Sequence, residues 1–165
     1  MDAVIFLDIE GVLNPQVHWG GSSSQAGPVL GLTEARLTLT RELITLGRVV
    51  WASTWPMDQK ASLVTAIGLP SDTPSVSFTE TDTESATMTT STWKLPFIER
   101  WLRRQEHIYE RYYHAVVWID DDLHSDAEVW AHASSSPTLL IRTDPAVGLT
   151  DSGVARVRTF LSDAE

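Results

Sequence analysis

Ala3-Val4-Ile5-Phe6-Leu7-Asp8-Ile9-Glu10-Gly11-Val12 is the stretch on which the reading of the chain turns. Residues 3–7 are continuously apolar and rich in branched side chains. That is the pattern of a strand covered on both faces in a parallel sheet, not of a half-solvated strand that alternates. The run stops on an acid, Asp8, with a second acid at Glu10 and a glycine at Gly11. In an open parallel α/β sheet, ligands bind beyond the carboxyl ends of the strands. An acid at that place is a candidate for chemistry.

Outward from this strand the chain alternates between strand and helix patterns. Residues 8–31 form a long connection rich in Gly, Ser and Pro, and connections of that length in a compact domain are usually functional or mobile. Thr33 is the expected N-cap of a helix with an apolar stripe of Ala35, Leu39, Leu43 and Leu46, flanked by Leu32 and Ile44. Gly47 suits the left-handed position after its end. A second buried strand is expected over 49–52 and a second helix over 57–67, followed by Gly68. Residues 70–92 are rich in Thr, Ser, Asp and Glu and read as an exposed loop with a short strand at 76–78.

A helix is expected over 94–112, with Pro96 in its first turn and Phe97, Trp101, Ile108 and Tyr112 on its apolar face. A strand follows at 115–119, then a helix capped by Ser125 and running to His132, a strand at 138–141, and a closing helix over 149–161 capped by Thr150 or Asp151. Alternation of this kind predicts a parallel sheet with right-handed crossovers. The expected fold class is a three-layer α/β/α Rossmann-like domain, one domain spanning 1–165.

Composition narrows the function classes. A chain of 165 residues can bury a real core without disulfides or a structural metal. There is no cysteine, which excludes disulfides, thiolate metal sites and a cysteine nucleophile, and which fits a cytoplasmic protein. No apolar run is long enough to span a bilayer. The N-terminus carries an acid where a signal peptide needs basic residues, so neither a leader nor a membrane partner is expected. The net charge of −10 repels phosphate backbones and disfavours long nucleic acid as a partner. The acid excess is also compatible with solubility alone, or with carboxylates gathered around a divalent cation. Of the seven tryptophans, Trp51, Trp55, Trp93, Trp101, Trp118 and Trp130 lie in or beside apolar segments and read as core. Trp19 lies in a glycine-rich loop and is a candidate to line a substrate entrance.

The residues after the other strands complete the pattern. Ser53-Thr54-Trp55 follows the second strand, Lys94 opens the long helix, and Asp120-Asp121-Asp122 follows the third strong strand. Gathered carboxylates repel one another, and a hard divalent cation relieves that repulsion. A lysine and a hydroxyl alongside can neutralise and orient phosphoryl oxygens. A carboxylate can itself attack phosphorus and form an aspartyl-phosphate.

These four segments, in this order, resemble the four motifs of the haloacid dehalogenase (HAD)-like superfamily. Phe6-Leu7-Asp8-Ile9-Glu10-Gly11-Val12-Leu13-Asn14 is similar to motif one, whose usual core is Asp-x-Asp-Gly. Val49 to Trp55 resembles motif two, a strand ending in Ser or Thr. Lys94 matches the motif-three lysine, and Val116 to Asp121 resembles the acidic motif four. The resemblance implies Mg²⁺-dependent phosphoryl transfer by a phosphomonoester phosphatase. Asp8 would be nucleophile and metal ligand, and Glu10 would lend a backbone carbonyl to the metal. Ser53, or less readily Thr54, would bind a phosphoryl oxygen. Lys94 would balance the charge of Asp8 and the phosphoryl group, and Asp120 and Asp121 would bind the metal.

The sequence departs from the family pattern at Glu10, where phosphatases of the superfamily usually carry an aspartate as general acid and base. The longer side chain puts turnover in question and leaves a second reading, a metal-holding binding or regulatory module. The segments between motifs are too short for a full cap domain, and capless relatives act on large substrates or borrow a lid from a partner subunit. The expected partner is a phosphorylated small molecule or a phosphoprotein, with oligomerisation left open. A third class, a nucleic-acid end-processing phosphatase, suits a capless site but needs a basic groove that no run of the sequence supplies. His18, His124 and Asn14 are possible substrate contacts, whereas Arg103, Arg104 and Arg111 read as the solvated face of a helix.

Overall fold

The computed structural model describes residues 2–14, 32–79 and 91–164. Four strands form one parallel sheet in the order β2-β1-β3-β4: β1 is Asp2–Leu7, β2 Arg48–Trp51, β3 Tyr113–Asp120 and β4 Thr138–Arg142. Among the described residues five helices connect and cover it: α1 Glu34–Leu46, α2 Met57–Ile67, α3 Leu95–Tyr109, α4 Ser125–Ala133 and α5 Asp151–Asp163. This is the expected three-layer α/β/α arrangement.

The layers follow from the twofold period of a strand, which sends successive side chains to opposite faces. Ile5, Leu7, Val117 and Ile119 point to one face and pack with Leu43 of α1, Leu63 and Ile67 of α2, and Val154 and Val157 of α5. Val4, Phe6, Val116 and Trp118 point to the other and pack with Phe97 and Ile98 of α3 and Ala127 of α4. Both faces are therefore covered, which explains why β1 and β3 read as unbroken apolar runs. Each fully buried large side chain in these layers contributes about 1.5–3 kcal/mol relative to exposure.

The chain leaves β1 toward the β2 edge and leaves β3 toward the β4 edge. The two central strands thus flank a topological switch point, where the connections diverge and a crevice opens. Leu7 pairs with Ile119 in the ladder, so Asp8 and Asp120 emerge next to each other at the mouth of that crevice.

Several local expectations are corrected. Gly47 is extended, with φ of −178°, and not left-handed. Its small size suits a close approach, because a Cβ there would stand 3.0 Å from the Ala3 carbonyl oxygen. Gly68 does adopt the left-handed conformation after α2, with φ of 81°. Residues 76–78 form no strand; an isolated bridge joins Ser75 to Trp51, extending the β2 edge by one pair. The long helix ends at Tyr109, because Glu110 turns left-handed with φ of 49° and its N–H closes on the Gln105 carbonyl. Ile108, in the last turn of the helix, and Tyr112, beyond its end, are 64% and 59% exposed instead of lying on the apolar face. Ser125 is the first residue of α4, with His124 before it, and α5 begins at Asp151 with the Thr150 hydroxyl accepting from the Gly153 N–H. Among the described residues no helix is long and apolar enough to cross a membrane.

Candidate active site

The site is built where apolar strands run out. β1 continues its ladder one step beyond Leu7, the Asp8 N–H donating to the Ile119 carbonyl at 3.1 Å. The chain then turns sharply, with the Asn14 N–H donating to the Ile9 carbonyl at 2.8 Å. Gly11 sits in that turn with φ of 68°, a conformation costly for a residue with a Cβ, and a Cβ there would collide with the Asp121 carboxylate. The turn is tied to the β4 side of the sheet by the Thr143 hydroxyl, which donates to the Gly11 carbonyl at 2.8 Å. The Leu149 N–H donates to the Val12 carbonyl at 2.8 Å and adds a second tie.

Lys94 reaches the same place from the N-terminus of α3. The residues before it are fastened to α4: the Thr92 N–H and hydroxyl donate to the Asp126 carboxylate at 2.9 and 2.6 Å, and the Thr92 hydroxyl accepts from the His124 N–H at 2.9 Å. Burial pushes the Asp126 carboxyl up, but the bonds from Thr92 and from the Ala127 N–H together outweigh it, and the net direction is down. So anchored, the Lys94 ammonium donates to Asp8 Oδ2 at 2.7 Å and to Asp120 Oδ2 at 2.8 Å, with all three groups buried.

Each carboxylate is oriented by further donors. Asp8 Oδ1 accepts from the Ile9 N–H at 2.7 Å. Asp120, only 1% exposed, accepts from the Trp118 indole at 3.2 Å and from the Asp122 N–H at 3.0 Å. Asp121 stands beside them, half-buried. Burial pushes the Asp8 carboxyl up to about 6, the Asp120 charge pushes the same way, and Lys94 opposes both. Burial and the Asp120 charge likewise raise Asp121. Burial alone would lower the Lys94 ammonium, but Asp120 and Asp8 outweigh it and the net direction is up.

One oxygen from each of Asp8, Asp120 and Asp121 lies within 4.8 Å of the others. The donors are hard oxygens carrying more negative charge than one lysine balances, and a hard divalent cation fits such a set.

The cluster opens into a cleft of about 300 Å³ lined by Asp8, Glu10, Ser53, Thr54, Trp93, Lys94, Asp121 and Asp122. Ser53 is buried at the end of β2 and Thr54 is exposed beside it. The residues singled out in the sequence, Asp8, Glu10, Ser53, Thr54, Lys94, Asp120 and Asp121, thus meet at one rim. His124 does not line the cleft; its Nε2 is 2.9 Å from Asp122 Oδ1. Asn14 bonds to Glu10 at 3.4 Å. His18 and Trp19 lie outside the described residues.

The structure adds residues the sequence did not reveal. Lys60 of α2 is buried and donates to the Ser53 carbonyl at 2.9 Å, and burial lowers its ammonium against the pull of Asp8. Trp55 donates its indole N–H to Glu10 Oε1 at 2.7 Å. Trp93, expected in the core, is 42% exposed at the cleft, with its ring against Phe78 and Phe97.

A switch-point crevice holding an acidic trio, a lysine and a strand-end hydroxyl is the arrangement expected of a HAD-like domain. Residues 4–154 match the family described as the HAD domain in Swiss Army Knife RNA repair proteins, and the chain belongs to that family. No curated protein and no solved structure matches the chain.

Proposed function

We propose that the protein is a Mg²⁺-dependent phosphomonoesterase working through an aspartyl-phosphate on Asp8. The observation that carries this reading is the shared ammonium: Lys94 bridges Asp8 and Asp120 at 2.7 and 2.8 Å, beside Asp121, in a cleft open to a substrate. Asp8, the Glu10 carbonyl, Asp120 and Asp121 would hold the Mg²⁺, which when bound offsets the negative charge of the phosphoryl group and the carboxylates.

The protein groups divide the remaining work. Ser53 and Lys94 hold the phosphoryl oxygens, with Thr54 at the exposed edge of the cleft. An Asp8 oxygen attacks phosphorus as the bond from phosphorus to the leaving oxygen breaks, and Glu10 delivers a proton to that oxygen. Glu10, now a carboxylate, accepts a proton from water as the water oxygen attacks phosphorus. The bond from Asp8 to phosphorus breaks, and inorganic phosphate leaves with both residues restored.

The chemistry suits any phosphomonoester end, including that of a small molecule or a phosphoprotein. The family description favours one in particular, a phosphorylated RNA end. The net charge of −10 limits contact with the rest of such a strand. The test is turnover with Mg²⁺ on small phosphoesters, phosphopeptides and oligoribonucleotides phosphorylated at either end. The expected result is release of inorganic phosphate from at least one class, lowered about 10⁴-fold or more in Asp8→Asn. Full activity in that variant contradicts the mechanism. Absence of turnover on every class, with turnover restored by Glu10→Asp, would leave the protein as a binding module.

A further inference from the structure

Glu10 is the point where the sequence leaves the family pattern, and its surroundings account for the longer side chain. Trp55 lies two residues beyond Ser53, buried against the core. Its backbone N–H donates to the Ser53 hydroxyl at 3.3 Å, and its indole N–H donates to Glu10 Oε1 at 2.7 Å. The Asn14 amide donates to the same oxygen at 3.4 Å. Among the described residues the hydrogen bonds to the Glu10 side chain thus fall on Oε1 and not on Oε2, and Glu10 lines the cleft. A flexible side chain with one oxygen fixed by a buried ring loses much of its rotational freedom. Catalytic groups depend on such positioning, since a misplacement of about 1 Å can cost about 100-fold in rate.

We propose that Trp55 is a positioning residue, its indole N–H holding Glu10 so that the free carboxyl oxygen exchanges the proton with the leaving group. One residue then sets two parts of the site, the Ser53 hydroxyl through its backbone and Glu10 through its ring. An aspartate at position 10, one methylene shorter, gives up the bond to the indole. Glu10 and Trp55 form a matched pair. This inference rests on the phosphomonoesterase reading, because Glu10 matters here as the proton donor of that reaction.

The test compares Trp55→Phe, which keeps an aromatic ring and removes the donor, on two leaving groups. With an alkyl phosphate, whose leaving oxygen needs a proton, kcat falls about 10- to 100-fold while KM stays within about twofold. With 2,4-dinitrophenyl phosphate, whose leaving group departs without one, kcat/KM, which reports the first transfer to Asp8, falls less than about threefold, while kcat also reports the later attack of water for which Glu10 is the base. In a Glu10→Asp background the same Trp55 change has little further effect on either substrate. Equal losses of kcat/KM on both substrates, or full additivity with Glu10→Asp, overturn the proposal, because a merely structural tryptophan behaves that way.

The bond is tested separately in the native protein. The Trp55 indole N–H resonance, assigned by its connectivities in the native protein, should shift in Glu10→Ala. An unmoved resonance overturns the proposal even if Trp55→Phe does not fold, and leaves the phosphomonoesterase reading standing. Conversely, a shifted resonance in a protein that hydrolyses no phosphomonoester refutes that reading, and the catalytic role of the pair with it.

Discussion

The two ends of the sheet carry hollows of nearly equal size and opposite character. The cleft at the carboxyl end encloses about 300 Å³. The groove at the amino end of β3 encloses about 290 Å³, between α3 and α4, with Glu99, Arg103, Glu106, Arg111, Tyr112 and Trp130 among its lining. Volume does not separate them. At the amino end Arg103, Glu106 and Arg111 are exposed, so water pays most of the cost of their charges. At the carboxyl end Asp8, Lys94 and Asp120 are buried, and the protein itself must satisfy them. Charge that is buried and paired is costly to maintain, and that cost marks the end of the molecule where chemistry is placed.

Lys94→Ala should break this contrast most strongly. It leaves Asp8 and Asp120 buried without their shared ammonium, and loss of one partner from a buried pair costs about 3–5 kcal/mol. Urea unfolding without metal should show that loss, and added Mg²⁺ should recover part of it by replacing the missing positive charge. Unchanged stability would mean that the ammonium does not balance the two acids.

Acidity should alter the same end next. The folded Asp8 carboxyl sits at about 6 against an ordinary 3.8, so the folded chain holds that proton more tightly than the unfolded one. This group therefore favours folding below pH 4, and the contribution is lost as pH rises through about 6. Metal binding runs the other way, because it needs the carboxylate. Calorimetric titration with Mg²⁺ should show affinity falling about tenfold per unit as pH drops below 6. A flat profile from pH 7 to 5 would argue against Asp8 as a ligand.

Gly11→Ala offers a smaller perturbation. It places a methyl group against the Asp121 carboxylate at a left-handed position, for a backbone cost of about 1–2 kcal/mol. A lower melting temperature and weaker Mg²⁺ binding are expected together. The smallest effect belongs to the amino-end groove. Arg103→Ala should leave stability within about 0.5 kcal/mol and turnover unchanged, since the side chain is exposed and remote from the acids. A large fall in turnover would show that the groove contributes to substrate binding.

The sequence made the carboxyl end legible because each central strand stops abruptly on a polar residue. Residues 3–7 and 115–119 have no polar side chain, so Asp8 and Asp120 stand out as acids at strand ends. Their adjacency needed only the parallel topology. Lys60 was hidden for the opposite reason. In the Met57–Ile67 helix a lysine reads as solvated, and its burial depends on a tertiary contact, the Ser53 carbonyl. The bond from Trp55 to Glu10 was hidden too, since an aromatic residue beside an apolar run reads as packing and its N–H partner lies 45 positions away. The Trp93 exposure and the left-handed Glu110 are likewise local outcomes that composition does not specify.

The most direct test is a crystal structure grown with Mg²⁺ and beryllium fluoride, a mimic of a phosphoryl group bonded to a carboxylate. The account predicts beryllium bonded to an Asp8 oxygen, with Asp120 among the ligands of a Mg²⁺ alongside and Ser53 and Lys94 touching the fluorines. A mimic bound elsewhere, or a Mg²⁺ that leaves Asp8 and Asp120 uncoordinated, would contradict it.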